Sequence, residues 1–235
     1  EVSEKRLQAI KDFTELGSGF KIAMRDLSIR GAGNLLGAQQ HGFIDSVGFD
    51  LYSQMLTEAV QRKQGKNTQT EKTSVEIDLG IDAYLPTTYI EDERQKIEIY
   101  KRIRELETID MLDELQDDLM DRFGEYPDEV AHLLAVGELK MNGDRALLER
   151  IRKQEQLITV VLSKVGTKAY TVEQLFKSLG HTKLKATLGV EKEQMHLKLT
   201  IPNGMKTMVW LHEVQSFVAD LRKERYQKMK EKMTQ

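Results

Sequence analysis

The chain has 235 residues, of which 31% are charged and 40% hydrophobic, with a formal net charge of −3 and no cysteine. That length holds one or two domains with real cores. Disulfides and thiolate metal sites are excluded, and no apolar run comes near the roughly eighteen residues of a membrane-spanning helix.

In chain order, Ser3 is placed to cap a helix over residues 4–13, with Leu7, Ile10 and Phe13 on one face, and Gly17 stops it. Phe20–Met24 alternates like a short strand. Seven of the 16 glycines, Gly17, Gly19, Gly31, Gly33, Gly37, Gly42 and Gly48, fall between Gly17 and Leu51. Tight turns joining short helices account for them, and so would a phosphate cradle. The spacing Gly31-Ala32-Gly33-Asn34-Leu35-Leu36-Gly37 misses the dinucleotide pattern by one residue and lacks a Gly-Lys-Ser/Thr ending. Turns alone leave unexplained the long polar side chains Arg25, Arg30, Gln39, Gln40 and His41 threaded among apolar anchors. A helix is expected from Phe49 to Gln64, followed by an apolar-free linker over 64–74 that makes the best domain boundary.

Beyond it, Val75–Ile81 alternates strictly and reads as a strand. Asp92 opens an amphipathic helix through Glu107, with Ile99, Tyr100, Ile103 and Leu106 inward. Thr108 caps a helix over Ile109–Arg122, ended by Gly124. Pro127 starts a third helix, to about Arg145, with Val130, Leu133, Leu134 and Leu139 as its core face. Strands follow at Leu147–Lys153 and Leu157–Ser163, a short helix at Val172–Leu179, and strands at Lys185–Val190 and Met195–Ile201. A long helix from Met205 to about Lys230 carries the stripe Trp210, Val214, Phe217, Val218 and Leu221. The expected fold class is α+β: acidic helices, a small sheet and a terminal helix, preceded by a helical hairpin and loop.

Charge is unevenly placed. Residues 1–70 carry nine Lys/Arg and eight Asp/Glu (+1), residues 71–147 nine and 21 (−12), and residues 148–235 17 and nine (+8). The acidic block repels phosphate and suits a basic protein surface. The cations of the last block are scattered over expected helix and strand faces, which reads as a solvated exterior. Within the acidic block, Asp113, Glu114, Asp117, Asp118 and Asp121 crowd the helix over 109–122. Glu114 with Asp118, and Asp117 with Asp121, stand four apart, so like charges share a side. A cationic partner would relieve them, and a merely solvated acidic face would also accommodate them.

No catalytic constellation is readable. The Asp128–His132 run, DEVAH, spells close to a helicase acid box but follows Pro127 at a helix start with no strand before it. The histidines His41, His132, His181, His196 and His212 show no ligand spacing, so no metal is expected. Trp210 at helical spacing is core. The chain opens at Glu1 inside a helical pattern, without an initiator Met or a basic-then-apolar leader, and reads as an excised piece of a longer cytoplasmic protein.

Two sets of residues resemble a known family. Ser28–Gly37, then Gln40, then Val47–Tyr52, resemble the translocation motif shared by RecG-type branch-migration helicases and transcription-repair coupling factors. Ile77–Ile90, Ile99–Ile103 and Leu119–Gly124 resemble the carboxy-terminal domain found in coupling factors and not in RecG-type helicases. The combination selects the coupling-factor family, strongly to about Ala146. The resemblance implies the end of the second RecA-like motor lobe and the translocation motif over 1–63, a linker over 64–74, and a regulatory domain over 75–235. It implies a parent that is an ATP-driven translocase on double-stranded DNA, using ATP and Mg, displacing stalled RNA polymerase and recruiting excision repair through UvrA. With the ATP site upstream, this piece alone is not expected to be an enzyme or to hold a cofactor.

By the same resemblance Arg6, Arg30 and Gln40 occupy the motif's motor-coupling positions, though Arg30 could instead cap carbonyls at the Gly31 turn. Asp118 and Asp121 match acidic positions that face, and mask, the UvrA-binding domain of the same chain. The family's usual glutamate at the first of these is the shorter Asp118 here. The competing reading makes the last domain an accessory DNA-binding module.

Overall fold

The computed structural model describes residues 72–234. Arg6, Arg30, Gln40, the glycine-rich stretch and the linker before Lys72 lie outside the described residues. Described residues divide into two units: Gly80–Gly137, and residues 72–79 together with 138–234. They contain six helices and a five-stranded sheet, an α+β fold.

The first unit is helical. In α1 (Glu93–Arg104) the Asp92 carboxylate accepts the N–H groups of Arg94 and Gln95 at 2.8 and 3.0 Å, satisfying two of the free donors of the first turn. The helix ends three residues before the expected Glu107. Glu105 leaves helical geometry while its N–H still reaches the Lys101 carbonyl, yet Leu106 stays buried as expected. In α2 (Ile109–Phe123) Thr108 caps Met111 N–H and Gly124, at φ 83°, terminates the helix. Its buried residues, Leu112, Leu115 and Leu119, follow the 3–4 spacing of one face. Pro127 precedes α3 (Asp128–Arg145) and its carbonyl accepts from Val130 and Ala131. All four expected core residues of α3 are buried, and so are Ala135, Val136 and Met141, so this helix is apolar on nearly every side. A Cβ at Gly137 would lie 2.6 Å from Ile103 Cγ2, so this helix-interior glycine is where α1 comes closest.

The second unit is built on the sheet, in the order β1-β2-β3-β5-β4, formed by Glu76–Asp78, Leu148–Gln154, Leu157–Leu162, Gln194–Thr200 and Lys185–Glu191. β1 runs parallel to β2 and every other pairing is antiparallel. The expected strand over 75–81 shrinks to three paired residues because Gly80, at φ 65°, turns the chain away, although Val75, Ile77 and Leu79 remain buried in alternation. The end of α3 holds β1. Asp144 Oδ1 accepts Val75 N–H at 2.7 Å, Lys140 Nζ donates to the Val75 carbonyl at 2.8 Å, and Thr73 N–H reaches the Asp144 carbonyl. The last residues of the expected linker are therefore fixed to this unit.

Ile77, Ile151, Val160 and Leu197 line up across four strands on one face, each fully buried. Lys153, on that face, lies over the Trp210 ring at 5.5 Å, which brings α6 (Thr207–Met233) and its buried stripe to that side. A short helix, α4 (Lys164–Ala169), follows Ser163, which caps it through Gly166 N–H. Sequence periodicity gives no sign of it: six residues with Val165, Gly166 and Thr167 form a poor helix alone. Ser163 and Gly166 pack it onto the Leu147 carbonyl, where a Cβ at Gly166 would come within 2.4 Å. Then α5 (Val172–His181) begins with a capping box between Thr171 and Gln174 and is tied to α6 by Lys177–Glu224 and His181–Asp220, each at 3.0 Å.

Candidate interdomain contact helix

Helix α2 carries the acidic positions singled out in the sequence, and the structure separates them into two groups. Asp118 is half-buried and engaged: its Oδ2 accepts from Arg102 Nη1 of α1 at 2.5 Å and from Arg122 Nη1, one turn on, at 3.1 Å. Arg122 then reaches back to α1 through a two-point contact with Glu98, at 3.0 and 3.3 Å. Two guanidiniums and two carboxylates thus alternate across the α1–α2 seam as a net-neutral cluster, in which the Arg122–Glu98 pair has the bidentate geometry that arginine supplies and lysine does not.

Burial raises the Asp118 pKa, but the hydrogen bonds from Arg102 and Arg122 outweigh it and hold the carboxyl below its ordinary value. The pairs with Glu98 and then Asp118 push Arg122 further up. Arg122 also lies over the Phe123 ring at 5.0 Å, and Phe123 meets Tyr89 at 5.8 Å. Tyr89 donates to the carbonyls of Gly124, at 2.8 Å, and Leu119, at 3.2 Å, pinning the end of α2.

Asp121 belongs to the other group. It is exposed, with Asp110, Asp113, Glu114 and Asp117, and none of these five has a side-chain hydrogen bond or ion pair among the described residues. At 100° per residue they fall on one stripe, with Asp118 on its flank. Exposed Ile109, Met111 and Met120 stand beside them. A stripe of carboxylates with apolar neighbours attracts cations and repels phosphate. The Asp118–Arg122 spacing is readable in the sequence as a favourable i,i+4 pair. Arg102, sixteen residues earlier, leaves no local sign.

The DEVAH run has no nucleotide geometry. It starts α3, and His132 Nδ1 sits 2.9 Å from the Asp82 carbonyl. Among the described residues no three His, Asp or Glu side chains are grouped to hold a metal ion. No helix among them is long and apolar enough to cross a membrane.

Residues 79–187 match the model of the TRCF domain, so the class of the chain is that of TRCF-domain proteins. The chain is 50% identical over 223 residues to the transcription-repair-coupling factor of Bacillus subtilis, covering 94% of this chain and 19% of that protein. Against the Staphylococcus haemolyticus factor it is 51% identical over 219 residues, 93% of this chain and 18% of the relative. A crystal structure of the C-terminal domain of transcription-repair coupling factor superposes with a TM-score of 0.64 at 39% identity, covering 68% of this chain and 98% of that one. The chain belongs to the transcription-repair coupling factor family. It spans about a fifth of the length of the curated relatives it matches.

Proposed function

We propose that this chain is the carboxy-terminal part of an ATP-dependent DNA translocase that displaces stalled RNA polymerase and couples transcription to nucleotide excision repair. In this reading residues 1–63 supply motor-to-DNA coupling through Arg6, Arg30 and Gln40, residues 64–74 are a linker, and residues 75–235 regulate the motor. The parent protein works in the cytoplasm on double-stranded DNA, RNA polymerase and UvrA, with ATP and Mg bound by parts of it other than residues 72–234. The acidic stripe of α2 masks the UvrA-binding domain of the same chain, Asp121 making the contact and Asp118 flanking it.

The observation that carries the masking role is that Asp121 and its four neighbours are exposed on one face without partners among the described residues, while Asp118 is already neutralised by Arg102 and Arg122. Aligned like charges on a helix favour a cationic docking surface that relieves them. The accessory DNA-binding reading gains nothing from such a face, which repels phosphate.

Asp121→Lys in the full-length factor tests the mask without disturbing the Asp118 cluster. UvrA affinity and basal ATPase should both rise, and wild-type values of both would reject masking by this helix. For the motor half, Arg30→Ala should abolish polymerase displacement while largely sparing ATP hydrolysis, and unchanged displacement would reject that assignment.

A further inference from the structure

Strand β4 ends the five-stranded sheet. β5 pairs with one of its sides in unbroken antiparallel register, and among the described residues no strand pairs with the other. Its seven residues, Lys185 to Glu191, contain neither proline nor bulge. Such an edge presents a row of free N–H and C=O groups, a template for another strand. Val190 is 64% exposed there, more than any other large hydrophobic residue of the sheet.

The order of side chains along this edge suits a copy of itself. Antiparallel pairing centred on Leu188 sets Lys185 opposite Glu191, Ala186 opposite Val190, Thr187 opposite Gly189, and Leu188 opposite Leu188. Residues directly opposite share a sheet face. The ion pairs therefore form on the polar face, with the Thr187–Gly189 pairs between them, and the apolar pairs form on the face of Leu197 and Leu199. A shift of one residue would set polar-face residues against apolar-face ones, and a shift of two would lose both ion pairs. The ion pairs that Glu191 makes within its own chain are long. Its carboxylate lies 3.7 Å from His196 and 3.9 Å from Lys198, beyond hydrogen-bond reach, and is 62% exposed.

We propose that β4 is a self-association edge, binding β4 of a second copy of this chain antiparallel about a two-fold axis at Leu188 and joining two sheets into one. The contact is isologous, so the Lys185–Glu191 and Ala186–Val190 pairs each occur twice and the Leu188 pair once, on the axis. Seven residues a side make a small interface, and the dimer is weak and concentration-dependent.

Sedimentation velocity of the whole 235-residue chain tests this. Wild type should show a monomer–dimer equilibrium as concentration rises to about 500 µM. Lys185→Glu and Glu191→Lys each set like charges opposite and should weaken the dimer about tenfold or more, while the double variant should return within about threefold of wild type. Both sites are exposed, and circular dichroism melts of the variants are the check that they fold. A monomer throughout would leave the edge to some other strand and overturn the proposal. So would a dimer indifferent to both reversals, or a double variant no better than either single one.

Discussion

Arg102 donates to the Asp118 carboxylate at 2.5 Å, joining α1 to α2 across sixteen residues of sequence. Because Arg102 and Arg122 hold the folded-state pKa of Asp118 below its unfolded value of about 3.9, the pair stabilises the fold above that pH and loses its effect as pH falls through the folded value. Asp118→Asn should cost about 0.5–1 kcal/mol at neutral pH and flatten the acid limb of stability, while Asp121→Asn, which relieves like charge at Asp117, should cost no stability at neutral pH. Thermal melts across an acid titration read this, and an Asp118→Asn protein as stable as wild type at pH 7 would deny the cluster any stabilising role.

Tyr100 is fully enclosed in the helical unit, and its hydroxyl oxygen accepts the buried Leu85 N–H at 2.8 Å. Burial is the largest effect on this phenol and drives its pKa far above the ordinary range, so it stays neutral. Tyr100→Phe removes the acceptor and strands the amide, which should cost about 1–3 kcal/mol in a denaturant melt. Tyr89→Phe, whose carbonyl partners at the end of α2 are better hydrated, should cost less. Equal losses would mean that the Leu85 amide finds another acceptor.

Two glycines in helices should respond in opposite directions to alanine. At Gly137 the added methyl meets Ile103 Cγ2, itself packed in the core, and the overpacking cost of about 1–3 kcal/mol exceeds the propensity gain of about 1. At Gly180 nothing lies within 4 Å, so Gly180→Ala should stabilise by up to about 1 kcal/mol. The two midpoints should move apart in equilibrium unfolding. A stabilised Gly137→Ala variant would show that α1 and α3 can separate at no cost.

The sequence by itself determined most of what local chemistry decides. Asp92, Thr108 and Thr171 each accept a backbone N–H two or three residues on, so those helix starts follow from short-range bonds. Leu112, Leu115 and Leu119, or Trp210 through Leu221, show their buried faces through spacing alone, and the α+β class follows from the order of such segments. The acid-rich character of α2 was equally plain.

Tertiary structure decided what depends on residues distant along the chain. β1 has three paired residues because its partner is β2, more than seventy positions later, and Asp144 fixes its start across 69 positions. α4 exists because Ser163 and Gly166 meet the Leu147 carbonyl, and Gly137 is glycine because Ile103 arrives there. The same holds for the candidate site. Spacing puts Asp118 and Asp121 on one helix, but the approach of Arg102 from α1, added to the local Arg122, pairs the first and leaves the second to solvent. Local bonds act within about one helical turn, whereas pairing, close approach and charge neutralisation are settled by whichever segments the fold brings together.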